Sequence, residues 1–338
     1  MTELKVGIAG YGVVGKRRKE CVDRHPNLRL VAVCDRNFND EGLLEEGVYY
    51  YQNYQSLLAQ ELDILIICLT NEIAPEVTIA GLQAGLHVFC EKPPGRNVED
   101  IKRVIQFESQ NPSLKLMYGF NHRYHESVQN ALKLVQDGKF GKVINIRGLY
   151  GKAKLITFNQ PNWRTKREIA GGGVLLDQGI HMVDLMRLFG GNFTEVHSFV
   201  SNSHWGYDVE DNAFALMRDK HNRVAMLHSS ATQWHHKFSL EVGLTEGILE
   251  LQGILSGSKS YGEEKLVITK KSNLNNGSLE NRTMRFLEDN SWKDEIDEFA
   301  EAIICDKPIK YGTSNDALKT MQLVYTIYSA DQEWAIKL

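Results

Sequence analysis

The chain has 338 residues, enough for two domains of ordinary size and for a core that needs no disulfide or metal staple. Its 42% hydrophobic and 24% charged residues are those of a globular protein, and 39 basic against 43 acidic residues, a formal charge of −4 mixed along the chain, argue against nucleic acid as a main partner. The longest apolar run, Ile64 to Leu69, is far too short to span a bilayer, and a strand pattern begins by Leu4, leaving no room for a signal peptide. A cytoplasmic protein without membrane contact is therefore expected. The five cysteines are odd in number and widely spaced, with no CxxC, and read as buried reduced thiols.

Leu4 to Ala9 reads as a buried strand. Gly10-Tyr11-Gly12-Val13-Val14-Gly15 follows at once, then a helical segment to about Arg24, then an apolar strand, Leu30 to Cys34. Asp35 ends that strand, 20 residues after Gly15. Strand, GxGxxG, helix, strand and terminal acid at this spacing are the signature of a dinucleotide site. Gly10 permits the tight turn, Gly12 lets backbone approach a pyrophosphate, and Gly15 lets the helix pack on the strand. The free N–H groups from Val13 and Val14 onward then face the phosphates. Asp35 is suited to accept from the adenosine ribose hydroxyls and to repel a 2′-phosphate, whereas Arg36 can stack on adenine or bind that phosphate. NAD is favoured, with NADP left open. The basic run Lys16 to Lys19 reads as a solvated helix face.

Alternation continues with a strand at Asp63–Leu69, a helix at Pro75–Ala84, a strand at Leu86–Cys90, a helix at Val98–Glu108, a strand at Leu114–Tyr118 and a helix at Ser127–Val135. Regular β/α alternation predicts a parallel sheet with helices on both faces, and ligands in such sheets sit at the carboxyl ends of the strands. Those ends carry Gly10–Gly15, Asp35, Thr70-Asn71, Glu91-Lys92-Pro93 and Gly119–Arg123. They make Thr70, Asn71, Glu91 and Lys92 cofactor-side candidates. Lys92 is placed to reach a nicotinamide or its substrate; the alternative is an ordinary loop lysine.

After about Lys139 the pattern changes to strands: Val143–Tyr150, Thr194–Val200, Asn212–Met217, Val224–Ser229, Phe238–Gly243, Ile248–Leu251 and Leu266–Thr269. Few helical patterns separate them, so an antiparallel sheet is expected. Lys270 to Gly277 has the composition of a loop. Trp292–Ile304 and a segment after the capping pattern Thr313–Asp316 read as helices. Between the strands lies GGGVLLDQGIHMVDLMRLFGG, Gly171 to Gly191, whose apolar residues recur three and four apart. Asp177, His181 and Asp184 fall at i, i+4 and i+7, on nearly one side of a continuous helix. One reading is a general acid/base histidine with a carboxylate one turn away; the other is a core histidine flanked by surface aspartates. His87 lies in an apolar strand and reads as structural. His235-His236 lacks a third ligand at metal spacing, so no metal is expected.

The Gly10–Gly15 motif, AGLQAGLHVFCEKP ending at Pro93, and GGGVLLDQGIHMVDL together resemble the Gfo/Idh/MocA oxidoreductase family, in order and spacing along nearly the whole chain. The resemblance implies an α/β protein: an N-terminal Rossmann domain, residues 1–122, and a C-terminal α/β domain, 123–338, with a large, open, mostly antiparallel sheet. The final helix would pack back towards the first domain. It implies Lys92, Asp177 and His181 as the catalytic lysine, aspartate and histidine. It places Asn121, Arg123, Trp163 and Arg164, with Asp177, on the substrate side. One departure is the loop Thr70–Pro75, which lacks the histidine common in the family. The implied activity is oxidation of a secondary hydroxyl, or reduction of the ketone, on a sugar, cyclitol or nucleotide-linked sugar. In it His181 takes the hydroxyl proton and Lys92 stabilises the oxygen. A glycosidase with tightly held NAD and a non-catalytic sugar sensor are the alternatives. An open sheet leaves one face uncovered, so a homodimer or homotetramer is expected.

Overall fold

The computed structural model describes residues 3–44, 47–154, 162–257, 259–272 and 278–338. They form two compact units, Met1–Asn121 with Trp292–Leu318, and His122–Ser291 with Lys319–Leu338. The units are thus discontinuous in sequence, unlike the linear division at 122, because the segment Trp292–Leu318 is grouped with the first.

The first unit contains β1 (Leu4–Ala9), α1 (Val13–Arg24), β2 (Leu28–Cys34), β3 (Gly42–Leu43), β4 (Tyr49–Tyr51), α2 (Tyr54–Leu58), β5 (Ile64–Ile67), α3 (Ala74–Gln83), β6 (His87–Glu91), α4 (Val98–Glu108) and β7 (Leu116–Gly119). The seven-stranded sheet runs β3-β4-β2-β1-β5-β6-β7, parallel except for the β3–β4 pair. Every residue of β5 and of β7 is buried, as expected of strands covered on both faces. Asn53 and Asn97 cap α2 and α4, each side chain accepting a backbone N–H at 2.9 Å. The short elements β3, β4 and α2 are additions to the sequence reading; each is too short to show a period. The strand order reverses at β1, which has β2 on one side and β5 on the other, so the glycine loop leaves the sheet at its switch point.

The second unit contains α5 (Glu126–Gln136), β8 (Val143–Gly151), α6 (Arg167–Ala170), α7 (Ile180–Gly190), β9 (Phe193–Ser201), β10 (Asn212–Asp219), β11 (Val224–Ser230), β12 (Lys237–Leu244), β13 (Gly247–Gln252), β14 (Glu264–Lys271) and β15 (Leu279–Phe286). Its eight-stranded sheet runs β15-β14-β13-β12-β8-β11-β10-β9, and only the central β8–β11 pair is parallel. The sequence reading lacks β15 because its residues, LENRTMRF, are polar and mostly exposed. α7 lies on β8 at Gly148, where a Cβ would come within 2.5 Å of Met186 Cε. Helices α8 (Ser291–Ile304), α9 (Ser314–Ala330) and α10 (Gln332–Ala335) end the chain. Thr313 Oγ1 accepts the Asp316 N–H at 3.0 Å, the cap its sequence announces.

Three expectations need correcting. The run Lys16–Lys19 is a solvated face only in part: Lys16 is exposed and Lys19 pairs outward with Asp23, but Arg18 is fully buried and Arg17 stacks on Trp292 at 4.2 Å. The central segment is not one α-helix, because Leu175–Gly179 is a turn of π-helix ahead of α7. Cys305 is exposed, one residue past the end of α8, and Cys68 is only half-buried. All five cysteines are free thiols. Residues 158–161 of the loop before the central glycines, and 273–277 of the Lys270–Gly277 stretch, lie outside the described residues. Among those described, no helix is long and apolar enough to cross a membrane.

Candidate functional site

In the first unit the loop after β1 is built from backbone. Gly10 has φ +91°, and a Cβ there would sit 2.3 Å from Cys68 O; a Cβ on Gly15 would sit 2.0 Å from Gly10 O. These two glycines are required by the chain's own packing. Gly12 differs: a Cβ there would meet nothing within 4 Å. The α1 N-terminus behind it has no side-chain cap and no acid in its first turn, and Val13 is exposed. Its N–H groups and dipole suit an anion. Asp35 Oδ2 accepts the Tyr11 N–H at 2.8 Å, and Oδ1 accepts from Asn37, which fixes the carboxylate at the loop's edge. Arg36 is exposed beside it. Thr70 is half-buried and its carbonyl starts α3, while Asn71 is buried. An extended dinucleotide phosphate fits this cradle.

At the end of β6, Glu91 holds Arg18, with Nε donating to Oε1 at 2.7 Å. Arg18 Nη2 also pairs with Glu295 at 2.6 Å, and its guanidinium lies between the Phe89 and Trp292 rings. Glu91 is therefore committed to an internal ion cluster, and Lys92, the next residue, leaves the strand half-buried through a cis Lys92–Pro93 peptide. Asn121 is buried in the 3₁₀ turn Asn121–Tyr124.

In the second unit the π turn breaks the 3.6-residue period, and the three polar residues of the central segment take different partners. Asp184, almost fully buried, accepts from Arg123 Nε and Nη2, both at 2.7 Å, and from Thr320 Oγ1 at 3.1 Å. Arg123 is thereby held inside the unit. Asp177 takes Lys152 Nζ at 3.0 Å and Arg164 Nε at 3.1 Å. The Arg164 guanidinium lies 4.3 Å above Trp163. His181 stacks face to face on His122, centroids 3.8 Å apart and planes 11° apart. His122 Nε2 in turn is 3.0 Å from Tyr150 Oη. The structure thus gathers Trp163, Arg164 and Asp177, and sets Arg123 on Asp184.

Around these lie Tyr261, Glu264, His125 and Lys152, which were not singled out from sequence, and His236, which was read only as lacking a third metal ligand. Tyr261 Oη donates to Gln178 Oε1 at 3.1 Å, and its ring stacks on His236 at 4.7 Å. Burial raises the Tyr261 hydroxyl, and the Asp177 charge adds to the rise, so the phenol stays a proton donor. Burial lowers His236, and Lys152 lowers it further. Burial pushes the Glu264 carboxyl up, but His125 at 2.8 Å and the Ser127 N–H bring it below the usual range. Lys152 follows the last residue of β8, a strand the sequence marks; its proximity to Asp177 is carried by no motif. Chemically, the group offers an imidazole, a carboxylate and two basic donors, the equipment for binding hydroxyls and moving one proton.

Residues 4–120 match the family model described as the oxidoreductase family, NAD-binding Rossmann fold, and residues 128–250 match the GFO/IDH/MocA C-terminal domain. Levoglucosan dehydrogenase of Pseudarthrobacter phenanthrenivorans is 27% identical over 60% of this chain. The match spans only 55% of that dehydrogenase. D-glucoside 3-dehydrogenase of Escherichia coli is 28% identical over 67% of this chain and 70% of its own. Among solved structures, levoglucosan dehydrogenase in complex with NADH and L-sorbose superposes with a TM-score of 0.86 at 20% identity, covering 98% of this chain and 97% of that one.

Proposed function

The chain belongs to the Gfo/Idh/MocA oxidoreductase family, and from that premise we propose that it is an NAD-dependent dehydrogenase acting on a secondary hydroxyl of a sugar or cyclitol. One observation carries the reading: Gly10 and Gly15 serve the chain's own packing, while Gly12 leaves its side of the turn open at a helix N-terminus. That is the cradle of a dinucleotide phosphate. When bound, the nicotinamide supplies the hydride acceptor. Gly12, Val13 and Val14 would hold the dinucleotide's phosphates and Asp35 its adenosine ribose, with Thr70 and Asn71 at the neighbouring strand end. Asp35 favours NAD over NADP. His181 takes the hydroxyl proton, Lys92 donates to the oxygen as negative charge develops, and Asp177 accepts from a neighbouring hydroxyl. Asn121, Trp163 and Arg164 contribute to substrate binding. The relatives' names, levoglucosan and D-glucoside 3-dehydrogenases, support a sugar-like substrate.

The reading extends to association and location. Phe199, Phe214, Leu216 and Met226 are exposed on one face of adjacent strands of the second sheet. Such a patch supports a homodimer or homotetramer. Five free thiols support a reducing, cytoplasmic setting.

The test is reduction of NAD by a panel of glycosides, anhydrosugars, hexoses and cyclitols, with wild type and His181→Asn. Loss of the base is expected to lower turnover by about 10²- to 10⁴-fold, leaving NAD affinity nearly unchanged. If no member of the panel reduces either nicotinamide cofactor, the reading is wrong.

A further inference from the structure

We propose that Lys152 is a substrate-binding residue which, with Arg164, makes the second unit selective for a sugar carrying an oxyanion, either a carboxylate or a phosphate ester. The ligand being a sugar rests on the dehydrogenase reading; the charge preference rests on the cluster itself.

Lys152 is pinned at the end of β8. Its N–H donates to Ser230 O at 2.8 Å, and its carbonyl accepts the Gln233 N–H at 3.1 Å. The residue is only 6% exposed. An ammonium has three donors. Among the described residues the Lys152 Nζ has one acceptor, Asp177 Oδ2 at 3.0 Å. A desolvated ammonium with most of its donors unmet is costly unless something else supplies acceptors. The same carboxylate also carries Arg164, so Lys152 shares its acceptor.

Three other buried carboxylates of the unit are engaged elsewhere. Asp184 holds Arg123, Glu264 holds His125, and Glu210 accepts from Gly173 N, Leu175 N and Tyr328 Oη. The rest of the lining, Tyr150, Gln178, His236 and Tyr261, carries no negative charge. An arriving oxyanion accepts from the unmet donors of the ammonium, while the guanidinium fork matches a carboxylate or phosphate edge. The Arg164 side chain is 23% exposed and that of Asp177 20%, so the cluster is reachable.

The experiment measures binding by calorimetry to the NADH-loaded protein, with D-glucuronate, D-glucose 6-phosphate and D-glucose as probes, on wild type and Lys152→Met. One anionic sugar is expected to bind about tenfold or more tightly than D-glucose, as for hydrogen bonds to charged groups. In Lys152→Met the ratio of anionic-sugar affinity to D-glucose affinity should fall about tenfold, to near one. Preference for the uronate assigns the site to a carboxylate, and preference for the phosphate to an ester. The proposal is overturned if neither anionic sugar outbinds D-glucose in the wild type, a comparison that needs no variant. It is also overturned if Lys152→Met weakens all three alike, which is how a lysine that only positions Asp177 would behave. Reduction of NAD by neutral sugars without anion preference would remove this proposal and keep the dehydrogenase. Selective anion binding without turnover would do the reverse.

Discussion

Each unit holds an uneven ion cluster, one cation shared by two carboxylates in the first and one carboxylate shared by two cations in the second. In the first, Arg18 faces Glu91 and Glu295; in the second, Asp177 faces Lys152 and Arg164. Arg18 and Glu295 have no exposed side-chain surface, whereas Asp177 and Arg164 keep about a fifth of theirs. The sealed cluster can relieve its surplus only by taking up a proton. Burial pushes Glu295 up to about 8 against the pull of Arg18, and Glu91 adds to the rise. Its Oε1 has no partner among the described residues. The open cluster can be relieved by a ligand. Accessibility, not charge composition, separates an ion cluster that shapes the protein from one that can serve a substrate.

The largest expected effect breaks the sealed cluster. Arg18→Met leaves the buried Glu295 and the half-buried Glu91 without their cation and should cost about 3–5 kcal/mol of stability in urea unfolding. A loss below about 1 kcal/mol would show that Arg18 is not what holds them. Next comes the neighbour of Glu91. Lys92→Met should lower turnover about a hundredfold, as when a donor to a developing oxyanion is lost. Its unfolding midpoint should barely move. Wild-type turnover would reassign Lys92 to the loop.

A third effect sharpens the contrast through pH. With its folded pKa raised from 4.5 to about 8, Glu295 contributes stability that is full below the ordinary carboxylate range and lost as pH rises to about 8. Glu295→Gln cannot lose a proton. Its stability relative to wild type should therefore rise between about pH 5 and about pH 8.5, and urea unfolding at both ends checks it. A constant difference would place the proton elsewhere. The smallest effect is at Asp35, a carboxylate met by the N–H groups of Tyr11 and Asn37 and by the Asn37 side-chain amide. Asp35→Ala should shift the NAD-to-NADP affinity ratio about tenfold towards NADP while changing stability little, as titration of both cofactors would show. An unchanged ratio would hand cofactor choice to Arg36.

Much of the first unit was legible because parallel strands are continuous apolar runs and the glycine motif has one mechanical meaning. β1, α1 and α4 lie where their patterns place them. The second sheet showed through alternation, except β15, whose polar residues carry none. The central segment misled for a definite reason: helical spacing assumes a constant period, and the π turn at Leu175–Gly179 interrupts it.

The sequence by itself determined the family, the order of elements, the dinucleotide turn and the residues able to do proton chemistry. Only the tertiary structure decided which charge meets which. Arg18 finds Glu295 across 277 positions, Arg123 finds Asp184 across 61, and Lys152 reaches Asp177 across 25. Apolar periodicity is a local signal, because it reports which face of one element is buried. An ion pair depends on where two distant elements are brought by packing, and no local pattern encodes that distance.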